Sequence, residues 1–200
     1  MSVRLINWLS VWYPKCPGLN SCAITILGVQ QLLKHIDTSL LEHKESDKPD
    51  DFCNKDTGEK SRLRQRSRGF VMKVDGAGNI RNAAPLYKSE SPSQIFLFVI
   101  ETMYQELKEM PKEEWGNYVL CYDNMCNLDN LRQARHPLPL PKPYDEMWML
   151  IKKVIDRLHI RNHKRRKCHI DYSPHIEQLE GINTMICEQT FAWLVFWISE

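Results

Sequence analysis

Hydrophobic and polar positions divide the chain near residue 68. The apolar stretch 23–33 predicts a helix, interrupted at Gly28. Residues 44–68 are almost wholly polar and cannot bury enough apolar surface to fold, so they predict a linker or an exposed arm. We therefore expect an N-terminal helical and polar arm over residues 1–68, partly disordered, and a folded domain over residues 69–200.

The folded part begins with a pattern typical of a β-hairpin. Residues 69–74 form a short β-type run, and the cluster at 75–79 is rich in the turn residues Asp, Gly and Asn. Glycine permits the positive φ that such a turn requires. The segment 80–87 is then expected to return as the second strand.

A helix and a buried strand follow the hairpin. Ser91 and Pro92 predict a helix start, with serine as the N-cap and proline in the first turn. Apolar residues then recur at helical spacing as far as Leu107. The compact apolar run 118–122 predicts a strand, and Asp123 lies at its carboxyl end.

The last third continues the alternation of helices and strands. The proline-rich segment 136–143 is interpreted as a stiff spacer rather than as a polyproline recognition motif. Residues 144–153 predict a helix, and 154–159 either extend it or form a strand. Asn183 and Thr184 are expected to cap an apolar helix over 185–198. This order predicts an α/β fold around a mixed sheet.

Composition narrows the class of protein. The chain has 200 residues, of which 42% are hydrophobic and 26% charged, and this suffices for one domain with a real core. No apolar run approaches a membrane span and no convincing signal peptide is present, so we expect no membrane partner. The net charge of +2 means that any basic surface must be local. Seven irregularly spaced cysteines indicate reduced thiols in the cytosol or nucleus.

Two acids are candidates for metal-dependent chemistry. Asp123 lies at a strand end and Glu188 in the first turn of the last helix, and in α/β sheets such positions often surround a ligand. Carboxylate oxygens suit Mg²⁺ or Mn²⁺, which bridge to phosphate oxygens. The alternative is that Asp123 serves a turn and Glu188 complements the helix dipole.

A second candidate is a zinc site. If residues 159–163 are helical, His159 and His163 lie one turn apart on one face, and Cys168 follows five residues later. A structural zinc needs four ligands, and Cys126 or Cys187 could supply the fourth. Alternatively, Asp156 orients one histidine by a hydrogen bond.

A third candidate is a nucleic-acid-binding surface, for which basic residues are needed. Lysine and arginine on an exposed loop neutralise backbone phosphates without reading sequence. A plain solvated surface or a localisation signal is the alternative. The residues concerned are Arg161, Lys164, Arg165, Arg166 and Lys167, with further basic residues in 60–68.

Six short motifs occur along the chain in an order that resembles a known protein family. They are 66–70 (RSRGF), 86–91 (LYKSES), 121–126 (CYDNMC), 156–159 (DRLH) with His163 and Cys168, 172–174 (YSP), and 181–189 (GINT and CEQ). Together they resemble the Kyakuja–Dileera–Zisupton transposases, over roughly residues 53–194. Members of that family are eukaryotic cut-and-paste DNA transposases with a ribonuclease-H-like core.

The resemblance implies a fold, an activity and a set of roles. The fold would be a ribonuclease-H-like mixed sheet with flanking helices. The activity would be metal-dependent cleavage and strand transfer of DNA by two Asp and one Glu, with Mg²⁺ or Mn²⁺ as cofactor. Asp123 matches the second catalytic Asp and Glu188 the final Glu, while Asp156 and His159 match a supporting motif. A nuclear location, DNA as partner, possible homo-oligomers and no small-molecule substrate follow from the resemblance.

Two departures from the family pattern shape the expectation. The first catalytic Asp should lie upstream of residue 69, and Asp37 is the nearest match there. Asp75, which comes after residue 69, falls in a turn and fits poorly. The family also continues well past its Glu helix, so we expect a truncated member with an incomplete domain and impaired cleavage. The alternative function is a non-enzymatic, zinc-stabilised module that binds DNA or protein.

Overall fold

The computed structural model describes residues 4–12, 67–87 and 91–198, with the side chains of 70–87 and 91–194. Five strands lie in this part of the chain: β1 (Arg4–Trp12), β2 (Ser67–Asp75), β3 (Ile80–Tyr87), β4 (Tyr118–Tyr122) and β5 (Lys152–Val154). The α-helices are α1 (Pro92–Leu107), α2 (Met125–Leu128), α3 (Met147–Leu150), α4 (Arg166–Asp171) and α5 (Ile186–Ile198). Short 3₁₀ helices cover Lys112–Asn117, Gln133–Arg135, Tyr144–Glu146, His159–Asn162 and Glu177–Leu179.

The strands form one sheet in the order β3-β2-β1-β4-β5. β2 runs antiparallel to both β1 and β3, whereas β4 runs parallel to β1 and β5 parallel to β4. The sheet is therefore mixed, and the predicted α/β class is confirmed at that level.

The central strand comes from the segment that we assigned to the N-terminal arm. In β1, Ile6 is in register with Asp75 of β2 and with Leu120 of β4. The boundary at residue 68 therefore does not separate the strands of the sheet. Pairing of this kind joins residues far apart in the chain, and the nine residues of β1 carry no local sign of it. The predicted helix at 23–33, the polar segment up to residue 66 and Asp37 lie outside the described residues.

The predicted hairpin is confirmed, and its turn is built around one carboxylate. Asp75 accepts hydrogen bonds through Oδ1 from the backbone N–H groups of Ala77 and Asn79, both at 3.0 Å. Its Oδ2 pairs with Arg81 at 2.7 Å. Gly78 has φ +89°, a conformation that residues with a Cβ adopt only with strain. Asp75 is thus committed to the turn.

Helix α1 begins as the sequence predicts. The Ser91 hydroxyl accepts from the backbone N–H of Gln94 at 3.3 Å, and Pro92 occupies the first turn. The Gln94 amide also exchanges two hydrogen bonds with the backbone of Tyr87, which fixes the helix start to the end of β3.

The segment predicted as a helix over 144–153 is shorter and ends in a strand. A 3₁₀ turn, Tyr144–Glu146, leads into α3, which ends at Leu150. Ile151 is extended, with ψ 158°, and β5 begins at Lys152. Pairing of Val154 with Cys121 of β4 competes with helix continuation here, so tertiary contacts override the local helical pattern.

Alternate residues of the strands face different layers. Val71 and Leu120 belong to the large core with α1, whereas Met72 and Val74 pack against Phe191 of α5. The sheet therefore lies between α1 on one face and α5 on the other. No helix in the described part of the chain combines the length and the apolar character that crossing a membrane requires.

Candidate functional site

Three acids lie at or near one edge of the sheet. Asp123 directly follows β4, and Asp156 follows β5 by two residues. Glu188 lies in the first turn of α5. Because β4 and β5 are parallel, their carboxyl ends meet at the same edge, where ligands commonly bind in α/β sheets.

His159 bridges two of these acids. Its Nδ1 lies 2.7 Å from Oδ2 of Asp156, and its Nε2 lies 3.3 Å from Oε1 of Glu188. Oδ1 of Asp156 accepts from the backbone N–H groups of Leu158 and His159, at 2.8 and 3.0 Å. Asp156 is only 5% exposed, so these hydrogen bonds compensate for the loss of hydration.

In this cluster, His159 and Asp156 each shift the pKa of the other toward the charged form. The hydrogen bond to Asp156, opposed by burial, raises the pKa of His159 to about 9, and the charges of Asp123 and Glu188 act in the same direction. Burial opposes ionisation of Asp156, but the hydrogen bonds from His159 outweigh it and keep its pKa below the usual value. At neutral pH an imidazolium therefore lies between two carboxyl groups.

Burial raises the pKa of Glu188, and the proximity of His159 partly offsets this effect. The charge of Asp123 also favours the protonated form of His159, while Glu188 contacts the imidazole directly. A cationic side chain thus occupies space among the acids. Within the described residues, the carboxylates form no group of three ligand atoms close enough to share one ion.

The position of Glu188 depends on the segment that leads into α5. Arg157 donates to the carbonyls of Leu179 and Ile182 at 2.8 and 2.9 Å, and its backbone N–H donates to Thr184 Oγ1 at 3.1 Å. Asn183 Oδ1 accepts from the N–H of Met185 at 3.0 Å, just before the helix begins. Arg157, just after β5, therefore fixes the segment that leads into α5 by these hydrogen bonds.

A second cluster lies beside the acids. Potential ligand atoms of Cys126, His163 and Cys168 all lie within 4.8 Å of one another, and all three residues are buried. Cys126 belongs to α2 and Cys168 to α4, and His163 lies in the loop that precedes α4. These three residues form a possible metal-binding group.

The hydrogen bonds of His163 suit a metal ligand. Its Nε2 lies 2.9 Å from the backbone carbonyl oxygen of Asp123, which can only accept, so Nε2 carries the proton. Nδ1 is then left with a lone pair and faces Sγ of Cys126 at 3.6 Å. Burial lowers the pKa of His163 and favours the neutral imidazole that a metal needs.

The structure brings some of the predicted zinc ligands together and places the others elsewhere. His163 and Cys168 come together, joined by Cys126, which was one of two alternatives for the remaining ligand. His159 is engaged with Asp156 and Glu188 instead. Cys187 packs with Met72, Val74 and Phe191 in a separate core, and burial raises its pKa. Cys121, Cys126, Cys168 and Cys187 are buried and are reduced thiols.

A basic pocket of about 310 Å³ opens next to the cysteines. Four cationic side chains line it together with the two cysteines of the group: Arg135, Lys153, Arg165 and Lys167 beside Cys126 and Cys168. Of the five basic residues predicted for DNA, Arg165 and Lys167 thus line the pocket. Arg161, Lys164 and Arg166 are exposed and do not line it.

Sequence reasoning missed Arg135 and Lys153. They lie outside the basic run 161–167, and their local sequence contains no motif that marks them. Only the packing of the 3₁₀ helix Gln133–Arg135, β5 and α4 around one cavity brings these side chains together.

The first acid of the expected trio is not found in β1. The strand reads RLINWLSVW and contains no Asp or Glu. Of the acids expected at the site, the described residues thus supply Asp123, Asp156 and Glu188. No family model, no curated protein and no solved structure matches this chain.

Proposed function

We propose that the chain is a transposase-derived, DNA-binding domain with a ribonuclease-H-like core, whose phosphodiester cleavage is impaired. The observation that carries this proposal is the position of Asp123 and Asp156 just after two parallel strands, with Asp156 and Glu188 both in contact with His159. The mixed sheet with helices on both faces also agrees with the architecture that the motif resemblance implies.

The proposed impairment of DNA cleavage follows from the carboxylates available to bind the divalent ions. Cleavage by two ions requires carboxylates that hold Mg²⁺ or Mn²⁺ on both sides of the scissile phosphate. Asp123 and Glu188 would hold such an ion, but β1 offers no third acid and the His159 cation stands among the acids. A cation at that place repels a divalent ion.

We further propose zinc as the ion of the cysteine–histidine group. Zinc distances of about 2.3 Å to sulfur and 2.0 Å to nitrogen, at a tetrahedral angle, place the two ligand atoms about 3.5 Å apart. The observed separation of Cys126 Sγ and His163 Nδ1 is 3.6 Å. Two thiolates and one imidazole are a donor set typical of zinc, with the fourth ligand a water or another side chain.

DNA binding and cleavage are tested together on the purified full chain. We expect retention of a labelled DNA duplex that weakens as salt rises. With Mn²⁺ or Mg²⁺ we expect no nicking of supercoiled plasmid above the level of an Asp123→Ala variant. Nicking that disappears in Asp123→Ala and in Glu188→Ala would contradict the proposed impairment, and absence of DNA binding at low salt would contradict the proposed function.

A zinc-stabilised binding module without an enzymatic ancestry is the second candidate, favoured by the buried group of Cys126, His163 and Cys168. Metal analysis tests the zinc. We expect about one zinc per chain, lost in Cys168→Ala but retained in Cys187→Ala, a buried cysteine outside the group. Zinc together with protein capture but no DNA binding would favour this second candidate.

A further inference from the structure

The four cations of the basic pocket come from three separate parts of the chain. Arg135 closes the 3₁₀ helix Gln133–Arg135, Lys153 belongs to β5, and Lys167 belongs to α4. Arg165 immediately precedes α4, and its Nη2 atom is shielded from solvent. Four cations converging on one cavity repel one another, so the arrangement favours an anion inside it.

The carboxylate in the pocket wall is already engaged. Asp129 accepts from Trp148 Nε1 at 2.8 Å and from Lys153 Nζ at 3.0 Å through Oδ1. Its Oδ2 accepts from the hydroxyl of Tyr172 at 2.9 Å. These contacts hold Lys153 at the wall, where its side chain is only 17% exposed. Asp129 offsets one positive charge, and Asp171, whose Oδ2 lies 3.8 Å from Lys167 Nζ, offsets part of a second. The four cations that line the pocket still outnumber these two carboxylates by two (4 − 2).

The neighbouring metal group does not cancel this charge. Two thiolates bound to a divalent ion with a neutral imidazole carry no net charge, and two protonated thiols without an ion carry none either. The pocket therefore stays positive in either state. Its volume of about 310 Å³ is at the small end of ligand sites, which suits a phosphate group with its sugar rather than a whole duplex groove.

We propose that this pocket binds a backbone phosphate of DNA, with Arg135, Arg165 and Lys167 as the contacting residues and Lys153 as a positioned wall charge. The inference rests on the proposed DNA binding and makes it specific. It divides the basic loop into two classes, since Arg165 and Lys167 line the pocket, whereas Arg161 and Lys164 do not.

The test compares two double variants of the full chain that remove the same residue types. Arg135→Gln with Lys167→Gln removes two exposed pocket charges, and Arg161→Gln with Lys164→Gln removes two exposed charges outside it. Fluorescence anisotropy with a labelled duplex gives the affinity between about 50 and 200 mM salt. We expect the pocket double variant to bind about 10-fold more weakly and to lose about 2 from the slope of log affinity against log salt.

The control double variant should stay within about 2-fold of wild type, since it removes no specific phosphate contact. Equal losses in both double variants, or none in the pocket variant, would overturn the pocket while leaving DNA binding intact. Failure of the wild type to bind DNA would instead overturn the proposed function together with this inference. Lys167→Gln alone, at a side chain 78% exposed, decides the matter if the pocket double variant does not fold.

Discussion

At the residue scale, a buried lysine departs most from the expectation for its type. Lys73 in β2 is fully buried, and its Nζ lies 2.7 Å from Oε1 of Glu106 in α1. It also donates to Tyr118 Oη at 3.2 Å, while that hydroxyl donates to Glu106 at 2.9 Å. The local strand pattern does not predict burial of a lysine, because the partner acid lies on a helix 33 residues away, as the residue numbers 73 and 106 give.

Lys73→Ala is expected to lower the free energy of unfolding by about 3 kcal/mol, because it leaves a cavity and removes the cation from the Glu106 carboxylate. Lys112→Ala is the control, since its pair with Glu146 is exposed on both sides, at 42% and 45%. Exposed pairs contribute little to stability because solvent screens them, so the control should change little. Urea denaturation measures both; similar losses would contradict the structural role of Lys73.

His159 makes stability depend on pH. Its pKa is raised from 6.5 to about 9 in the folded chain, chiefly by the hydrogen bond to Asp156. A raised pKa means that the imidazolium stabilises the fold fully below pH 6.5, and that this contribution is lost as the pH rises through about 9.

The stability difference between wild type and His159→Gln should therefore shrink between about pH 6 and pH 10, by on the order of 3 kcal/mol. Urea denaturation at several pH values measures it. His175→Gln, at an exposed position, controls for the loss of an imidazole and should leave the pH profile of wild type unchanged. A constant difference for His159→Gln across this range would show that the pair does not titrate as described.

At the scale of single elements, the hairpin turn depends on one glycine. Gly78 has φ +89°, and a Cβ there would also lie 3.5 Å from two carbons of Ile186 in α5. The turn between β2 and β3 is thus close to the first residue of the last helix.

Gly78→Ala should cost about 1–2 kcal/mol, since alanine at positive φ is strained. Gly116→Ala is the matched control, because no atom lies within 4 Å of a Cβ built there and its φ is not positive. Thermal melting of the two variants distinguishes them. Equal melting temperatures would contradict the strained turn.

At the scale of the whole molecule, the cysteine–histidine group connects distant parts of the chain. Cys126 follows β4 and Cys168 lies in α4, while His163 donates to the backbone carbonyl of Asp123. An ion held there would fix the end of β4 to the loop carrying His159 and to the basic pocket. The proposed zinc would therefore help to fix the positions of the residues in both the acid cluster around His159 and the basic pocket.

Removal of the metal is expected to destabilise the wild-type chain and to weaken DNA binding through the basic pocket. A chelator should lower the melting temperature of wild type and of Cys187→Ala by several degrees, because bound metal stabilises the folded state. A Cys126→Ser variant, lacking a ligand, should melt at the lower temperature with or without chelator. No effect of the chelator on wild type would argue against a bound ion.

Local hydrophobic periodicity and capping residues predicted a large part of the fold. The hairpin 67–87, the Ser91 cap, helix α1 and the strand that precedes Asp123 all follow from contacts among near neighbours. Such contacts have a period of two or of 3.6 residues, or link a cap to the third residue after it, so the sequence exposes them directly. The positions of Asp123 and Glu188 at element ends were predictable for the same reason.

The tertiary structure decided what depends on distant partners. It placed β1 at the centre of the sheet, shortened the helix before β5, and joined Cys126 rather than Cys187 to His163 and Cys168. It also gathered Arg135 and Lys153 into the basic pocket. Strand pairing and the course of loops depend on packing between segments far apart in the chain, and no local period encodes which segments will meet.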